Sequence, residues 1–186
     1  MRATLVWSYG LLGEPERGLL GRLSAFVGGF PLSAAEAVGA AGGVDAKAVI
    51  DHLGTLVEQS LVMVDPDGGE EGTRYGMLEP VRQYAREKLE ENGEEEETRQ
   101  RHAAYYLAVA ERAGAELWGP EQGGWLERLE RENGNLRAAL AWALDANAET
   151  AGRLCWALWL FWWARGHHRE GRRWSEAALG RELPSA

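Results

Sequence analysis

The sequence predicts a mainly α-helical protein: a winged helix-turn-helix with one β-hairpin, followed by an α-helical, tetratricopeptide-like region. Three observations support this fold class. Apolar residues recur at helical spacing through residues 5–57, the pattern changes after Ser60 to two short strands around a turn, and helical spacing returns from Thr98 onward. Helices, a hairpin and a further helix, in that order, are the layout of a winged helix with an additional amino-terminal helix.

Four helices are predicted before the hairpin. A short helix over residues 5–12 comes first, and Pro15 marks the first turn of the second, where a missing N–H is tolerated. Ser33, followed by Glu36 three residues later, matches the capping box of a third helix. Asp45 is predicted to cap the fourth helix.

A strand that runs directly into a helix is the most informative stretch of the chain. Leu61 to Val64 is the first strand of the hairpin, and Arg74 to Leu78 is the return strand. Pro80 then stands where a first helical turn accepts it, at the start of an amphipathic helix. No catalytic residue is placed to react in this stretch, which indicates a regulatory module rather than an enzyme.

A change of composition near residue 97 predicts two domains, residues 1–97 and 98–186. Gly93 and the acidic run that follows it end the helix after the hairpin. Residues 1–97 hold 8 Lys and Arg against 18 Asp and Glu, whereas residues 98–186 hold 12 against 11. The last helix pair, joined near Gly166, spans about residues 152–185, the length of one tetratricopeptide repeat.

Several function classes are disfavoured by the sequence. A phosphate-binding loop needs a lysine behind a glycine, but the two lysines follow Ala46 and Glu87. The four histidines show no metal-ligand spacing, so no metal site and no cofactor are predicted. The single cysteine, Cys155, excludes an intrachain disulfide and indicates a reducing, cytoplasmic location. The most apolar run, residues 154–164, is too short to span a membrane.

DNA binding is also disfavoured on charge. The formal net charge is −9, and the helix before the hairpin, residues 45–59, has Lys47 as its only fixed positive charge beside Asp45, Asp51 and Glu58. Such a helix is poorly suited to phosphate contacts or guanine readout. The winged helix is therefore interpreted as a packing module.

Nine tryptophans allow two interpretations, a cage for a cationic or stacking ligand and a packed core. Trp156, Trp159 and Trp163 follow the spacing of one helix face, which favours core packing. Trp162 lies off that stripe, and with Trp174 it is a candidate for protein binding through a groove or a further repeat.

Four motifs in order resemble bacterial signal-transduction ATPases of the NB-ARC and LuxR-type large-regulator group. The motifs are residues 5–12 (LVWSYGLL), 23–30 (LSAFVGGF), 74–87 (RYGMLEPVRQYARE) and 132–142 (ENGNLRAALAW). In that family a P-loop ATPase domain precedes a winged helix, and a tetratricopeptide array follows as a sensor and protein-binding surface. The resemblance covers the segment from the winged helix through the first repeat, and implies that ATP or ADP would bind an upstream domain that this chain lacks.

The resemblance also suggests which residues face the nucleotide. In related animal and plant switches a Met-His-Asp motif at the strand-to-helix junction contacts bound ADP. The matching residues here are Met77, Leu78 and Glu79, so leucine replaces the sensing histidine.

The leading hypothesis is a non-catalytic regulatory fragment that relays nucleotide state from an upstream ATPase domain and binds a protein partner. One alternative is a DNA-binding winged-helix transcription factor. Another is a free-standing tetratricopeptide adaptor, in which residues 98–186 bind a peptide.

Overall fold

The structure, a computed structural model, describes residues 2–41, 45–65 and 72–180. Its fold is mainly α-helical with a small antiparallel sheet, and the predicted fold class is confirmed. In chain order the described elements are α1 (Arg2–Gly10), α2 (Glu14–Leu23), β1 (Phe30–Pro31), α3 (Leu32–Gly39), α4 (Ala46–Glu58), β2 (Met63–Asp65), β3 (Arg74–Gly76), α5 (Glu79–Glu91), α6 (Glu95–Glu116), α7 (Gln122–Arg131), α8 (Asn133–Ala146), α9 (Ala148–Ala164) and α10 (His168–Leu179).

The chain divides into two compact units, Met1–His102 and Ala103–Ala186, here called the amino-terminal and carboxy-terminal units. Helix α6 belongs to both, because the division falls within it. The boundary predicted at residue 97 lies in the first turn of α6. The assignment of residues 1–97 and 98–186 as separate domains stays a prediction.

Helix α2 is at the centre of the amino-terminal unit, where it packs against α3, α4 and α5. Leu19 and Leu23 on its apolar side are fully buried. Burying a side chain of this size stabilises a fold by about 1.5–3 kcal/mol. Gly39 permits the contact with α3, because a Cβ added there would lie 2.5 Å from Leu19 Cδ1. Beside this core, the Phe26 and Phe30 rings stack with their centroids 4.4 Å apart.

The sheet has three strands in the order β1-β3-β2, all antiparallel. The predicted hairpin is present, with Val64 opposite Tyr75, but β3 ends at Gly76 rather than at Leu78. Strand β1, in which Phe30 pairs with Tyr75, was not predicted. A strand of two residues that includes a proline has no alternating pattern to reveal it. The predicted turn at residues 66–69 lies outside the described residues.

Helix α1 begins and ends earlier than the predicted residues 5–12. Of the four helix starts predicted from a proline or a capping residue, three agree with the structure. Pro15 and Pro80 stand in the first turns of α2 and α5, and Asp45 caps α4 by accepting a hydrogen bond from the Lys47 N–H at 3.3 Å. The capping box at Ser33 was wrong. Helix α3 begins two residues earlier, at Leu32 instead of Ala34, with Pro31 in the cap position and no side-chain cap, because pairing in β1 already holds Pro31 extended.

In the carboxy-terminal unit, α9 packs between α8 and α10. The prediction that Trp156, Trp159 and Trp163 form its buried stripe was wrong, since all three are exposed. The buried face carries other apolar residues at the same spacing, namely Leu154, Leu158, Phe161 and Trp162. Helix α9 is apolar on nearly every side, so two stripes compete and spacing alone does not choose between them.

A buried carboxylate explains the polar interruption between α7 and α8. Glu132, only 2% exposed, accepts hydrogen bonds from the Tyr106 hydroxyl and the Asn135 side-chain amide, both at 2.8 Å. Buried polar groups require partners of this kind. The residues 132–142 motif therefore begins with a structural pair that joins α8 to α6.

Candidate functional site

The strand-to-helix junction is the first candidate site. Arg74, buried at the start of β3, donates from Nη2 to the Gly29 carbonyl at 2.8 Å and fixes the strand against the loop between α2 and β1. The chain then passes through Met77, which is half-buried, to Leu78 in the cap position of α5. Leu78 is 55% exposed. Its aliphatic side chain has no group that can form a hydrogen bond.

An ion pair occupies the first turn of α5. Arg82 donates to Glu79 through Nε at 2.8 Å and Nη2 at 2.6 Å, and these hydrogen bonds lower the pKa of the Glu79 carboxyl group. The same guanidinium lies 3.5 Å from the Ser24 carbonyl. Glu79 is thus held by Arg82 on its own helix, and a nucleotide-facing role for Met77, Leu78 and Glu79 stays a prediction.

Helix α4 occupies the position of a recognition helix and shows a mainly acidic surface. Val49, Leu53 and Leu56 are buried, which leaves Asp51 and Glu58 exposed with Lys47 as the only cation on the helix. Ile50, on the same exposed side, is apolar. His52 is turned toward α2, where its Nδ1 lies 2.8 Å from Glu16 Oε1.

The described part of the wing is apolar rather than basic. Met63 and Val64 of β2 are both exposed, and Asp65 ends the strand. DNA-binding wings contact phosphates through positive charge. The described faces of α4 and β2 therefore lack that charge apart from Lys47.

The two tryptophans predicted to bind protein lie in different environments. Trp162 is buried, 4% exposed, and packs against Gly171 of α10, where an added Cβ would lie 2.6 Å from its ring. Trp174 is half-buried and donates through Nε1 to Glu170 at 3.2 Å. Both side chains are engaged within the carboxy-terminal unit, and their role in protein binding stays a prediction.

A groove that sequence reasoning missed lies between α6 and α9. Its lining includes Trp118, Trp156 and Trp159 together with Gly114 and Gly152, and its volume is about 890 Å³. We call it the tryptophan groove. Its walls come from segments far apart in the chain, so the only signal in the sequence was the number of tryptophans.

Two kinds of feature are absent from the residues that the structure describes. In that part of the chain no group of three or more His, Cys, Asp or Glu side chains is placed to hold a metal ion. No helix among the same residues has both the length and the hydropathy needed to cross a membrane.

Comparison with known proteins identifies the first of the two units. A family model described as a winged helix-turn-helix domain matches residues 12–90, from the loop before α2 to α5. These residues form a winged helix-turn-helix domain, in agreement with the order of helices and strands observed.

Longer relatives extend the similarity over almost the whole chain. A protein of Mycobacterium tuberculosis, provisionally named an HTH-type transcriptional regulator, is 42% identical over 180 residues, which are 96% of this chain and 20% of that protein. A protein of Mycobacterium bovis with the same kind of name matches equally well. An uncharacterised M. tuberculosis protein is 45% identical over 93 residues, 50% of this chain and 23% of its own.

The chain thus spans about a fifth of the length of the curated relatives it matches. It is homologous to this part of proteins that are named as HTH-type regulators. No solved structure matches it.

Proposed function

We propose that this chain acts in bacterial transcription regulation, as the winged helix and the first helices of the region that follows it in a larger regulator. The observation that carries the proposal is the match of 96% of the chain to a protein named as an HTH-type regulator. A role in transcription places the chain in the cytoplasm and gives it no catalytic step of its own.

Two modes of action are compatible with this role. The comparisons favour the first, direct DNA binding by the winged helix, because the matched domain and the relatives' names both refer to helix-turn-helix proteins. A DNA-binding winged helix would place α4 against the duplex.

The second mode is a relay between protein domains, and the charges of the winged helix favour it. The exposed side of α4 carries Asp51 and Glu58, which would repel phosphates. The junction exposes the apolar side chain of Leu78, which in this mode would contact the neighbouring domain. In this mode an ATPase domain on the amino-terminal side would bind ATP or ADP, and the helical region would bind a protein partner.

Binding to duplex DNA separates the two modes. The measurement is the fluorescence anisotropy of a labelled duplex, titrated with the intact chain at salt concentrations between 50 and 200 mM. We expect no salt-dependent binding at protein concentrations up to about 10⁻⁴ M, the dissociation constant of the weakest non-specific DNA binding. A variant with both Asp51→Lys and Glu58→Lys should gain binding that weakens as salt rises, because it removes the acidic face of α4.

A matched control carries the same change of net charge elsewhere. Glu90→Lys with Glu91→Lys places two lysines on α5, and we expect much weaker binding from it than from the α4 variant. Tight, salt-dependent binding by the unaltered chain would instead establish the DNA-binding mode. Equal gains by the two variants would show that α4 has no special position toward DNA.

A free-standing adaptor is the remaining alternative, in which the carboxy-terminal unit binds a peptide. Capture of the same partner by the intact chain and by a variant lacking the exposed Leu78 side chain would favour it, because the relay mode uses that junction.

A further inference from the structure

The tryptophan groove exposes more aromatic surface than a folded unit normally leaves in water. Trp156 is 79% exposed and Trp118 is 73% exposed, and the rings of Trp118 and Trp159 lie 6.1 Å apart at an angle of 50°. Contiguous apolar surface of this kind marks binding sites on soluble proteins. None of these rings contributes to the buried face of α9.

Small residues create the depth of the groove. Helices α6 and α9 approach closely at Gly114, where an added Cβ would lie 3.1 Å from the Ala157 carbonyl oxygen. Gly152, which precedes Ala157 on α9, also lines the groove. The resulting volume of about 890 Å³ falls within the range of sites for small organic molecules, about 300–1,000 Å³.

The charges around the groove favour a cation. Its charged lining residues are Glu111, Glu149 and Arg153. Arg153 is already paired with Glu111, with Nη2 and Oε1 2.7 Å apart. This pairing compensates the one positive side chain and leaves the carboxylate of Glu149 as the net charge of the lining.

The carboxy-terminal end of α6 and the tryptophan rings also favour a cation. The groove lies at the carboxy-terminal end of α6, where helix carbonyls favour positive charge. The amino-terminal end of α9 has the opposite effect and offsets part of the Glu149 charge, because a helix terminus carries about half an elementary charge. Tryptophan faces attract cations more strongly than those of other aromatic residues.

We propose that the tryptophan groove binds a small organic cation with an apolar body. The rings of Trp118, Trp156 and Trp159 contact the apolar body and the charge, and Glu149 at the rim supplies the counter-charge. The site belongs to the carboxy-terminal unit and is separate from the winged helix, so it gives the chain a ligand-binding function beyond transcription regulation.

Two ions of similar shape and opposite charge test the proposal. Tetraphenylphosphonium and tetraphenylborate are titrated separately into the intact chain in sodium buffer, and heats of binding are recorded. We expect the phosphonium to bind at one site about tenfold more tightly than the borate, from ring contacts together with one carboxylate. Glu149→Gln should reduce this preference.

Variants locate the site. Trp156→Ala should weaken phosphonium binding about tenfold, as expected for loss of an aromatic contact and its buried area. Trp163→Ala is the matched control, because Trp163 lies on the same helix and is 66% exposed but does not line the groove. The proposal is overturned if neither ion binds, if the borate binds as tightly as the phosphonium, or if both variants weaken binding equally.

Discussion

At the scale of single residues, contact between α9 and α10 depends on the absence of a side chain at Gly171. A Cβ there would lie 2.6 Å from Trp162 Cε3 and 3.1 Å from its Cβ. Overpacking of this kind costs up to about 3 kcal/mol, while alanine gains about 1 kcal/mol over glycine in a helix. We expect Gly171→Ala to lower the free energy of unfolding by about 2 kcal/mol, measured by urea denaturation.

The control for this substitution is Gly123→Ala in α7. An added Cβ at Gly123 meets nothing within 4 Å, so only the propensity gain applies, and stability should stay the same or rise by up to about 1 kcal/mol. If the two variants have equal stability, the Trp162 contact does not limit how closely the helices pack.

At the scale of elements, an ion pair joins α8 to α10, with the Glu170 side chain mostly covered and the Arg137 side chain half exposed. Arg137 donates to Glu170, and this lowers the pKa of the Glu170 carboxyl group below its ordinary value of 4.5. The ionised form is therefore favoured in the folded state. Its stabilisation is fully present above pH 4.5 and is lost as pH falls through the lower, folded-state pKa.

We expect Glu170→Gln to reduce the free energy of unfolding by about 1–2 kcal/mol at pH 7, with a smaller difference from the unaltered chain below pH 4.5. Urea denaturation followed by tryptophan fluorescence at pH 7, 5 and 3.5 measures the difference. The control is Glu176→Gln, because Glu176 pairs with Arg172 at the exposed surface of the same helix. A difference for Glu170→Gln that does not change with pH would rule out this electrostatic account.

Much of the element order could be predicted because local chemistry determines it. Asp45 supplies a side-chain acceptor at a helix start, and Gly93 and Gly166 adopt φ values of 73° and 76° where helices end. Strand β1 could not be predicted, because its pairing with β3 is long-range. The buried face of α9 was assigned to the wrong tryptophans, since its neighbours decide which of two apolar stripes is covered.

The candidate sites also differ in whether they could be predicted from the sequence. The strand-to-helix junction was located from sequence because Pro80 and the change of period lie next to each other in the chain. The tryptophan groove was not located, because Gly114 and Ala157 are brought together only by packing of α6 against α9. The acidic surface of α4 could be predicted from the sequence and the helical period alone.

At the scale of the whole molecule, the division of contacts at residue 102 predicts separate stability of the two units. Leu19 and Leu158 make a matched pair for testing this, because both are essentially unexposed and lie in different units. Replacing a buried leucine by alanine costs about 2–5 kcal/mol. Hydrogen exchange of the intact chain, measured by mass spectrometry, shows which residues lose protection when the fold is destabilised in this way.

We expect Leu19→Ala to raise exchange within residues 2–102 and Leu158→Ala to raise it within residues 103–180, each leaving the other unit protected. The physical reason is that each leucine stabilises its neighbours through packing, and packed neighbours belong mainly to the same unit. Faster exchange throughout both units after either substitution would show that the two units unfold as a single cooperative fold.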